Sequence, residues 1–492
     1  MTPQSGTMVA TAKVGKNAMK ASKEFSGLAS DSRAVRPGYL FAALPGSQAD
    51  GADFVEDAVA RGAVAILGRP ELAARARALG VRFIADENPR RALARQASAF
   101  FAAQPDTVAA VTGTNGKTSV CVFLRQIWSA LGKPAASLGT IGVVTAQGET
   151  ALKQTTPDPI ELHRLLAELK GGGIDFLAME ASSHGLDQYR LDGVRIRAVA
   201  FTNISRDHMD YHATFEAYLA AKLRLFREVV AEGGVAVIDA DAAHADAFLE
   251  AAKARGLRAV TVGERGDTLK LVSRAAGDGG QTLGVVHAGR TFRIELALAG
   301  GFQASNALIA AGLAIGLGDD AARVFAALAH LRGAPGRLEM VAVAASGAPI
   351  YVDYAHTPDA LETVLSAMRA HVRGRLHVVF GCGGDRDKGK RPLMGAAAAK
   401  FADRVIVTDD NPRGENAAAI RKEILAGCPN ATEIGDRAEA IHAAIAALQA
   451  GDVLIVAGKG HETGQIVGRE TRAFCDRDEA VRSALTLGGR KA

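Results

Sequence analysis

One short stretch of the chain combines glycines with a lysine and a threonine in the spacing of a phosphate-binding loop. It runs from Thr112 to Thr118 and reads Thr-Gly-Thr-Asn-Gly-Lys-Thr. An apolar run, 108–111, precedes it, and a helix-forming stretch that ends near Leu131 follows it. Backbone N–H groups of such a loop can approach phosphate oxygens, and the helix N-terminus adds a favourable dipole. The sequence therefore predicts a site for a nucleoside triphosphate.

Two side chains of this loop have specific expected roles. Lys117 would neutralise the β- and γ-phosphates, and the Thr118 hydroxyl would ligate Mg²⁺. The spacing departs from GxxxxGK[ST], because Val111 stands where the first glycine belongs. An incidental glycine turn is the alternative, and the flanking strand and helix argue against it. We predict that the nucleotide contacts Gly113, Thr114, Asn115, Gly116, Lys117 and Thr118. The loop alone does not separate motors, kinases and ligases.

Polar side chains also follow two other predicted strands. Glu180 comes directly after 176–179, and His208 lies in a dense Asp/His run after 198–202. A carboxylate and an imidazole at two strand ends beside a phosphate loop could hold Mg²⁺ against a triphosphate. Taken alone, His208 favours a structural or surface role, and its place in the Asp/His run makes a metal-binding role an equally good interpretation. Lys222 lies in an amphipathic helix, where the pattern alone favours a solvated side chain.

A further polar segment, Asp409–Arg413, follows the predicted strand 404–407 and reads Asp-Asp-Asn-Pro-Arg. Turn chemistry alone indicates an Asn-Pro turn with an exposed arginine. A guanidinium can also bind a carboxylate through two parallel charge-assisted hydrogen bonds. The residues by themselves leave both interpretations open.

The elements that must position these groups alternate along the chain between strands and helices, which predicts an α/β protein with largely parallel sheets. We expect three domains. A small N-terminal α/β domain spans 25–106, a central domain with the phosphate-loop parallel sheet spans 107–333, and a C-terminal domain with a Rossmann-like doubly wound sheet spans 334–492. Residues 258–298 predict a peripheral sheet, and 1–24 predict a flexible tail.

Composition limits the classes of partner. The 492 residues contain 58 Lys+Arg and 53 Asp+Glu, a formal net charge of +5 without a long basic run, so we expect no nucleic-acid partner. Four dispersed cysteines predict neither a disulfide scaffold nor a zinc site and favour the cytoplasm. Because no run of 18 apolar residues occurs, we expect no membrane insertion. We also expect a monomer.

Seven motifs, in chain order, resemble the ATP-dependent Mur ligase superfamily. They are Gly113–Thr118, Glu180 with Ser182-Ser183-His184, Asp207–Asp210, Tyr218…Lys222…Phe226, Gly336–Glu339, Val352–Pro358 and Gly458–Glu462. The early segments around Ser30 and Ser47 also resemble the family, so the likeness covers nearly the whole chain. It implies an ATP-dependent amide ligase of peptidoglycan precursor synthesis that works through an acyl phosphate.

The resemblance assigns roles that spacing does not. It implies that Lys222 is carbamylated by CO₂ and helps to hold a second Mg²⁺, an assignment consistent with a lysine whose pKa is lowered by burial. The implied catalytic residues are Lys117, Glu180, His208 and Lys222, and the implied metal ligands are Thr118, Glu180, His208 and Lys222. ATP would also contact Asn306, Arg337 and Asp353. The UDP-N-acetylmuramoyl-dipeptide would contact Ser30, Ser32, Ser47, Gln48, Ala49, Gln154, Thr155, Thr156, Ser182, Gln188 and Arg190.

Within the superfamily, Asp-Asn-Pro-Arg marks the ligases that add meso-diaminopimelate, whereas lysine-adding relatives lack the arginine. Arg413 would bind the distal carboxylate of diaminopimelate, and Glu462 suits the distal ammonium. Lysine would leave the guanidinium unpaired, so the site can discriminate strongly. The implied diaminopimelate site comprises Arg386, Asp410, Asn411, Pro412, Arg413, Gly458 and Glu462.

Two positions depart from the family pattern, since Gln303 and Gln154 stand where asparagine is common, and each keeps the amide. Two other functions remain possible. A related amide ligase, such as a folylpolyglutamate synthase or the ligase for the fourth and fifth stem residues, would lack the Asp410–Arg413 motif. A phosphate-loop nucleic-acid motor would need a basic, aromatic-bearing groove, which an aromatic content of 5% does not favour. A binding protein without activity is a poorer fit, because every expected ligand position is filled.

Overall fold

We describe a computed structural model of the chain over residues 25–46, 49–209, 211–277 and 280–492. The expected tail, 1–24, and two predicted substrate-binding residues, Ser47 and Gln48, lie outside this range. The chain forms two compact units. One comprises the residues up to Lys117 with Gly132–Ile238 and Ala242–Ala259, and the other comprises Thr118–Leu131, Asp239–Asp241 and Val260–Ala492.

The N-terminal part of the first unit is a small parallel sheet with helices. Its strands lie in chain order, β1 (Gly27–Ala29), β2 (Tyr39–Ala42), β3 (Ala63–Gly68) and β4 (Arg82–Ala85). Parallel neighbouring strands must be joined by a crossover connection, which usually contains a helix. The α-helices are Val55–Ala60, Ala73–Ala78 and Pro89–Phe101.

The phosphate loop follows the central strand of a second sheet. The strands here are β5 (Thr107–Thr112), β6 (Ala135–Gly139), β7 (Gly142–Thr145), β8 (Gly148–Thr150), β9 (Phe176–Glu180), β10 (Ile196–Phe201) and β11 (Val235–Asp239). Their spatial order is β11-β10-β5-β9-β6-β7-β8. Every residue of β5 is buried, as expected of a strand covered on both faces. The helices of this region are Lys117–Ala130, Pro159–Gly171, Ser183–Asp187, Phe215–Arg224 and Ala245–Ala254.

Because β9, β5 and β10 are parallel neighbours, their carboxyl ends lie at one edge of the sheet. Glu180 ends β9, the phosphate loop follows β5, and Asn203 follows β10. Ligands of open α/β sheets bind at this edge. The topology thus brings together groups that lie up to 90 residues apart in sequence.

The second unit contains a separate seven-stranded sheet and, before it in the chain, most residues of four further strands. These four strands are β12 (Arg258–Gly263), β13 (Leu269–Gly277), β14 (Gly280–His287) and β15 (Arg290–Leu296); β12 and β13 are parallel, and β13, β14 and β15 are antiparallel. The apolar helices Gly301–Gly316 and Ala321–Leu328 follow.

The seven-stranded sheet lies in the C-terminal part of the second unit and is mostly parallel. Its strands are β16 (Glu339–Val343), β17 (Pro349–Asp353), β18 (Leu376–Phe380), β19 (Arg404–Val407), β20 (Thr432–Glu433), β21 (Val453–Ala457) and β24 (Arg490–Lys491), and the hairpin β22 (Gly464–Val467) and β23 (Glu470–Ala473) stands apart. The spatial order of the sheet is β20-β19-β18-β21-β17-β16-β24. The helices are Pro358–Arg369, Lys390–Phe401, Ala417–Leu425, Arg437–Ala446 and Asp476–Thr486. Two apolar clusters pack on the sheet, one containing Phe380 and Leu365 and the other Ile441 and Val456.

The predicted α/β class and the parallel sheets are confirmed. Two details differ from the sequence pattern. The amphipathic helix predicted around Lys222 ends at Arg224 and continues as a π-helical turn over Leu225–Val229. The strands β7 and β8 extend the central sheet in antiparallel orientation. Among the helices of the described residues, none is long and apolar enough to cross a membrane.

Candidate active site

The phosphate loop is held by Thr202 and Asn203, the two residues that follow β10. The carbonyl oxygen of Asn203 accepts a hydrogen bond from the backbone N–H of Thr114 at 2.8 Å, and the Asn203 side-chain oxygen accepts one from the N–H of Asn115 at 3.0 Å. The Thr202 hydroxyl donates to the carbonyl oxygen of Asn115 at 2.6 Å. Lys117 folds back over the loop, and its Nζ donates to the carbonyl oxygens of Gly113 and Thr114. The predicted phosphate loop is thus a hydrogen-bonded turn, and the side chain of Lys117 lies over it.

Lys222 is buried beside this loop, with 1% of its surface exposed. Its Nζ donates to the carbonyl oxygen of Gly113 at 2.8 Å and lies 4.4 Å from the ring centroid of Tyr218. Tyr218 precedes Lys222 by four residues, so both project from one face of the helix Phe215–Arg224. The helix pattern favours a solvated Lys222, and this prediction is wrong, because the helix face that carries Lys222 packs against the phosphate loop.

Burial lowers the pKa of Lys222 well below its ordinary value of 10.5, and the positive charge of Lys117 lowers it further. The carboxylate of Asp207 acts in the opposite direction but does not compensate. A buried ammonium without a close anion is costly, so the neutral amine is favoured. A neutral amine is a nucleophile.

Glu180 is fixed by the turn between β6 and β7. Its carboxylate oxygens accept hydrogen bonds from the backbone N–H of Thr140 at 2.8 Å and from the Thr140 hydroxyl at 3.2 Å. A Cβ atom added to Gly139 would lie 2.1 Å from Oε1 of Glu180, so the turn can approach the carboxylate only as glycine. Glu180 itself is 1% exposed.

His208 lies in a group of aromatic side chains in the first unit. Its ring centroid is 4.9 Å from that of His184 and 6.1 Å from that of Tyr218. Its backbone has φ of 56°, a left-handed conformation that is uncommon for residues other than glycine. Nε2 lies 3.6 Å from a carboxylate oxygen of Asp207. The histidine is half in solvent, unlike the buried Glu180 and Lys222.

Mg²⁺ prefers oxygen ligands, such as carboxylates, carbonyl groups and water. Among the described residues no three His, Cys, Asp or Glu side chains are grouped as a metal site. Glu180 offers a buried carboxylate, whereas an unmodified Lys222 offers only nitrogen. Addition of CO₂ to the neutral amine would supply two carboxylate-like oxygens beside the phosphate loop. With that modification the donor set fits a magnesium ion.

A cavity of about 250 Å³ in the first unit joins several predicted substrate-binding residues. Ser30, Gln154, Gln188 and Arg190 line it. The guanidinium of Arg190 donates to the side-chain oxygens of Gln154 and Gln188 and to the carbonyl oxygen of Thr156. Gln154 therefore keeps a defined contact although asparagine is common in the family.

The other predicted substrate-binding residues occupy different surroundings. The Thr155 hydroxyl lies 3.0 Å from that of Thr140, and the Ser182 hydroxyl caps the helix Ser183–Asp187. Ser32 is buried, and Ala49 is exposed. Ser32, Ala49, Thr155 and Ser182 do not line the cavity.

In the second unit the predicted nucleotide-binding residues form a connected group. Gln303 accepts a hydrogen bond from the amide of Asn306 and donates one to the carbonyl oxygen of Arg337. The Asp353 carboxylate accepts from the N–H groups of Leu338 and Ala355, and burial raises its pKa. Gln303 thus bonds both neighbours through its amide.

Two buried polar atoms near this group are not hydrogen-bonded within the described residues, namely Nε of Arg337 and Nδ1 of His461. The guanidinium of Arg337 lies 4.5 Å above the ring of Tyr354, and the His461 ring is 5.2 Å from the same ring. Buried polar atoms are normally satisfied, so a ligand is a natural partner for these two. An aromatic ring with two polar neighbours suits a nucleobase.

The predicted diaminopimelate residues also gather in the second unit. The side-chain amide of Asn411 donates to Oε2 of Glu462 at 2.8 Å. A Cβ atom added to Gly458 would lie 2.5 Å from a carboxylate oxygen of Asp410, and its φ is 117°. Only glycine suits this position, because its backbone conformation and the close approach of Asp410 leave no room for a side chain. Pro412 is buried beside Asn411, and Arg386 is exposed.

Arg413 is half-buried and has φ of 50°. Its Nη1 donates to the carbonyl oxygens of Gly384 and Asn411, at 3.0 and 3.4 Å. No carboxylate pairs with it among the described residues. A guanidinium held by carbonyl oxygens in a strained backbone conformation is available for an incoming anion.

Sequence reasoning missed two residues that hold the site together. Thr140 supplies both hydrogen bonds to Glu180, and nothing in its spacing marks it. Lys459 is completely buried and donates to Asn411 and Glu462. The sequence could have indicated Lys459, because it lies inside the Gly458–Glu462 motif.

Comparison with known proteins shows which family the chain resembles. Three family descriptions match the chain, "Mur ligase family, catalytic domain" over 24–101, "Mur ligase middle domain" over 111–314 and "Mur ligase, glutamate ligase domain" over 336–460. A protein of Bradyrhizobium diazoefficiens is 58% identical over 471 residues, which cover 94% of this chain and 96% of that protein. The chain belongs to the Mur ligase family.

Other members of the Mur ligase family give the same result. A Brucella melitensis protein is 54% identical over 459 residues, 93% of each chain. Like the Bradyrhizobium protein, it is named UDP-N-acetylmuramoyl-L-alanyl-D-glutamate--2,6-diaminopimelate ligase. A solved structure with that name has a TM-score of 0.71 and 36% identity and covers 94% of this chain and 95% of its own. The resemblance of the motifs to Mur ligases is confirmed, and the chain is a ligase, which excludes the nucleic-acid motor.

Proposed function

We propose that the protein is an ATP-dependent amide ligase that adds meso-2,6-diaminopimelate to UDP-N-acetylmuramoyl-L-alanyl-D-glutamate in peptidoglycan precursor synthesis. The observation that carries the choice of amino acid is the half-buried Arg413, whose guanidinium donates, within the part of the chain that the structure describes, only to carbonyl oxygens. The names of relatives more than 50% identical support the same substrates.

In the first step the D-glutamate carboxylate attacks the γ-phosphorus of ATP. The P–O bond to ADP breaks, and an acyl phosphate forms. Two anions approach each other in this step, so the main task of the protein is electrostatic. We assign Lys117 and the N–H groups of the loop 113–118 to the triphosphate. Asn306, Arg337 and Asp353 are assigned to the rest of the nucleotide.

In the second step the amine of diaminopimelate attacks the acyl carbon, and inorganic phosphate leaves with the former acyl oxygen. The amine loses a proton as the amide forms. Arg413 and Glu462 would hold the distal carboxylate and ammonium, while the reacting amine at the other end stays free. Binding of the distal groups orients the nucleophile.

We propose Mg²⁺ as the metal, with Thr118, Glu180, His208 and a carbamate on Lys222 as ligands. The metal would offset the charge of the phosphoryl groups. The carbamate forms when the neutral Nζ attacks the carbon of CO₂ and releases a proton. Support comes from the burial of Lys222 and the lowered pKa of its amine.

We also propose that Ser30, Gln154, Gln188 and Arg190 bind the UDP-linked dipeptide in the cavity that they line. The remaining predicted contacts, Ser32, Ala49, Thr155, Thr156 and Ser182, belong to the same proposal. We place the protein in the cytoplasm, in line with its four free cysteines, and propose that it is a monomer.

The proposal is tested by a coupled assay of ADP release with ATP, Mg²⁺ and UDP-N-acetylmuramoyl-L-alanyl-D-glutamate. We expect release with meso-diaminopimelate and a kcat/KM lower by at least about 100-fold with L-lysine. Preference for L-lysine would overturn the substrate assignment. Absence of release with either amino acid would overturn the ligase reaction as stated.

A further inference from the structure

Lys459 is one of the largest completely buried side chains of the protein, and its ammonium lies inside the proposed diaminopimelate site. It follows Gly458 at the end of β21. A cation removed from water is expensive unless anions and hydrogen-bond acceptors surround it. The partners of Lys459 therefore indicate what this charge does.

Three residues of the site face the Nζ atom of Lys459. It donates to Oδ1 of Asn411 at 3.1 Å and to Oε2 of Glu462 at 3.0 Å. Oδ1 of Asp410 lies 3.7 Å away. An ammonium has three N–H donors, so this one is directed wholly at residues implied to bind diaminopimelate.

The two oxygens of the Glu462 carboxylate are not equivalent. Oε2 accepts from Lys459 and also from the side-chain amide of Asn411 at 2.8 Å. Oε1 accepts no hydrogen bond among the described residues. The Glu462 side chain is 34% exposed, whereas that of Lys459 is 0% exposed. One oxygen is thus anchored from behind, and the other is accessible.

The cluster of Asp410, Lys459 and Glu462 has a formal net charge of −1. Asp410 and Glu462 contribute −2 and Lys459 contributes +1, which gives −1. Arg437, which also lies near, is paired with Asp476 and adds no net charge. The half-buried Arg413 provides the opposite charge nearby in the chain. This distribution is complementary to an ammonium and a carboxylate on one carbon.

Building on the proposed function, we propose that Lys459 is a positioning residue for amino-acid specificity. It fixes Oε2 of Glu462 and the amide of Asn411, so that Oε1 of Glu462 is aimed at the distal ammonium of diaminopimelate. Lys459 does not touch the substrate. Its removal lets the carboxylate rotate and turns the anchored oxygen into a competing acceptor.

The test compares K459M, which keeps the length of the side chain and removes the charge, with the control K400M. Lys400 is an exposed lysine paired with Glu362 on the helix Lys390–Phe401. We expect K459M to raise the KM for meso-diaminopimelate by at least tenfold. The KM values for ATP and the UDP-linked dipeptide should stay within about twofold, and K400M should match the wild type. A KM is independent of the fraction of active enzyme, so partial unfolding does not affect the comparison.

A double-mutant cycle with E462Q separates positioning from general support of the fold. If Lys459 acts through the Glu462 carboxylate, K459M should have less than a third of its effect on the diaminopimelate KM in the E462Q background. Equal effects in both backgrounds would overturn the inference. If K459M does not fold, K459R is taken through the same cycle and judged in the same way.

The outcomes also distinguish this inference from the proposed function. Wild-type protein that releases no ADP with diaminopimelate would overturn the proposed function. An active wild type with an unchanged diaminopimelate KM in K459M, or with all three KM values raised equally, would overturn only the role of Lys459.

Discussion

The Nζ atom of Lys222 lies 2.8 Å from the carbonyl oxygen of Gly113, the first glycine of the phosphate loop. A lysine from the helix Phe215–Arg224 is thereby placed against the backbone that is expected to hold the triphosphate. Burial keeps this amine away from water, and its pKa is lowered. The contact joins this helix directly to the phosphate loop.

Removal of the Lys222 amine should abolish most activity. We expect K222A to lower kcat by at least about 100-fold, because the carbamate oxygens proposed to complete the metal site would be lost. Acetate or formate should restore part of the activity by supplying a carboxylate in the vacated space. ADP release is measured with and without the added acid. K253A, at an exposed helical lysine, is the control, and wild-type turnover in K222A would remove Lys222 from the mechanism.

The lowered pKa of Lys222 also makes a prediction about stability and pH. Between the lowered pKa and the ordinary value of 10.5 the unfolded chain binds a proton that the folded chain does not, so stability rises with pH over this interval. K222M lacks the titrating group. In CO₂-free buffer at pH 7 it should be more stable than the wild type by at least about 1 kcal/mol.

This difference should shrink as the pH approaches 10.5. Thermal unfolding of both proteins at pH 7 and pH 9.5 measures it. A K222M protein that is less stable than the wild type at pH 7, with no change between the two pH values, would contradict the lowered pKa.

Replacement of Gly139 should displace the carboxylate of Glu180 while every proposed metal ligand keeps its residue type. In G139A the new Cβ would lie 2.1 Å from Oε1 of Glu180, so the carboxylate must move. Changes behind a metal ligand typically cost about 10- to 100-fold in metal affinity or activity. We expect the Mg²⁺ concentration for half-maximal ADP release to rise by that factor. G171A adds a Cβ in open space at a helix end and should behave like the wild type. Equal Mg²⁺ dependence in both variants would contradict the role of Glu180.

A buried ion pair in the C-terminal part of the second unit should be costly to break from one side only. The Arg437 guanidinium donates to both carboxylate oxygens of Asp476 at 2.7 Å and to the carbonyl oxygen of Ala457 at 2.8 Å. D476N leaves a buried cation unpaired and should destabilise the protein by about 3–5 kcal/mol. The double variant R437M/D476L should lose less than D476N. Urea unfolding tests this order, and an equal or larger loss in the double variant would contradict it.

Arg413 should determine which diamino acid is accepted. R413A should lower kcat/KM for meso-diaminopimelate by about 100-fold or more, because a bidentate ion pair with the distal carboxylate is lost. The value for L-lysine should change by less than about threefold, since lysine has no such carboxylate. R404A, at an exposed arginine of β19, is the control. An equal loss for both amino acids would show that Arg413 supports the fold instead.

Much of this arrangement could be predicted from the sequence, because the strands β5, β9, β18 and β21 are short apolar runs followed by polar motifs. Parallel strands with helical crossovers place those motifs at one edge of each sheet. The burial of Lys222 could not be read from helical periodicity, since it depends on the distant loop at Gly113. The antiparallel strands β7 and β8 are short, and one is wholly exposed, so apolar alternation did not reveal them. Thr140 acts through its backbone and hydroxyl, which leave no sequence pattern.

The central claim is tested most directly by competition between the two amino acids in one reaction. The wild-type protein is incubated with ATP, Mg²⁺, UDP-N-acetylmuramoyl-L-alanyl-D-glutamate and equal concentrations of meso-diaminopimelate and L-lysine, and the nucleotide-linked product is identified by mass spectrometry. We predict a product that has gained one diaminopimelate residue, formed together with ADP and phosphate. A product that has gained lysine would contradict the account.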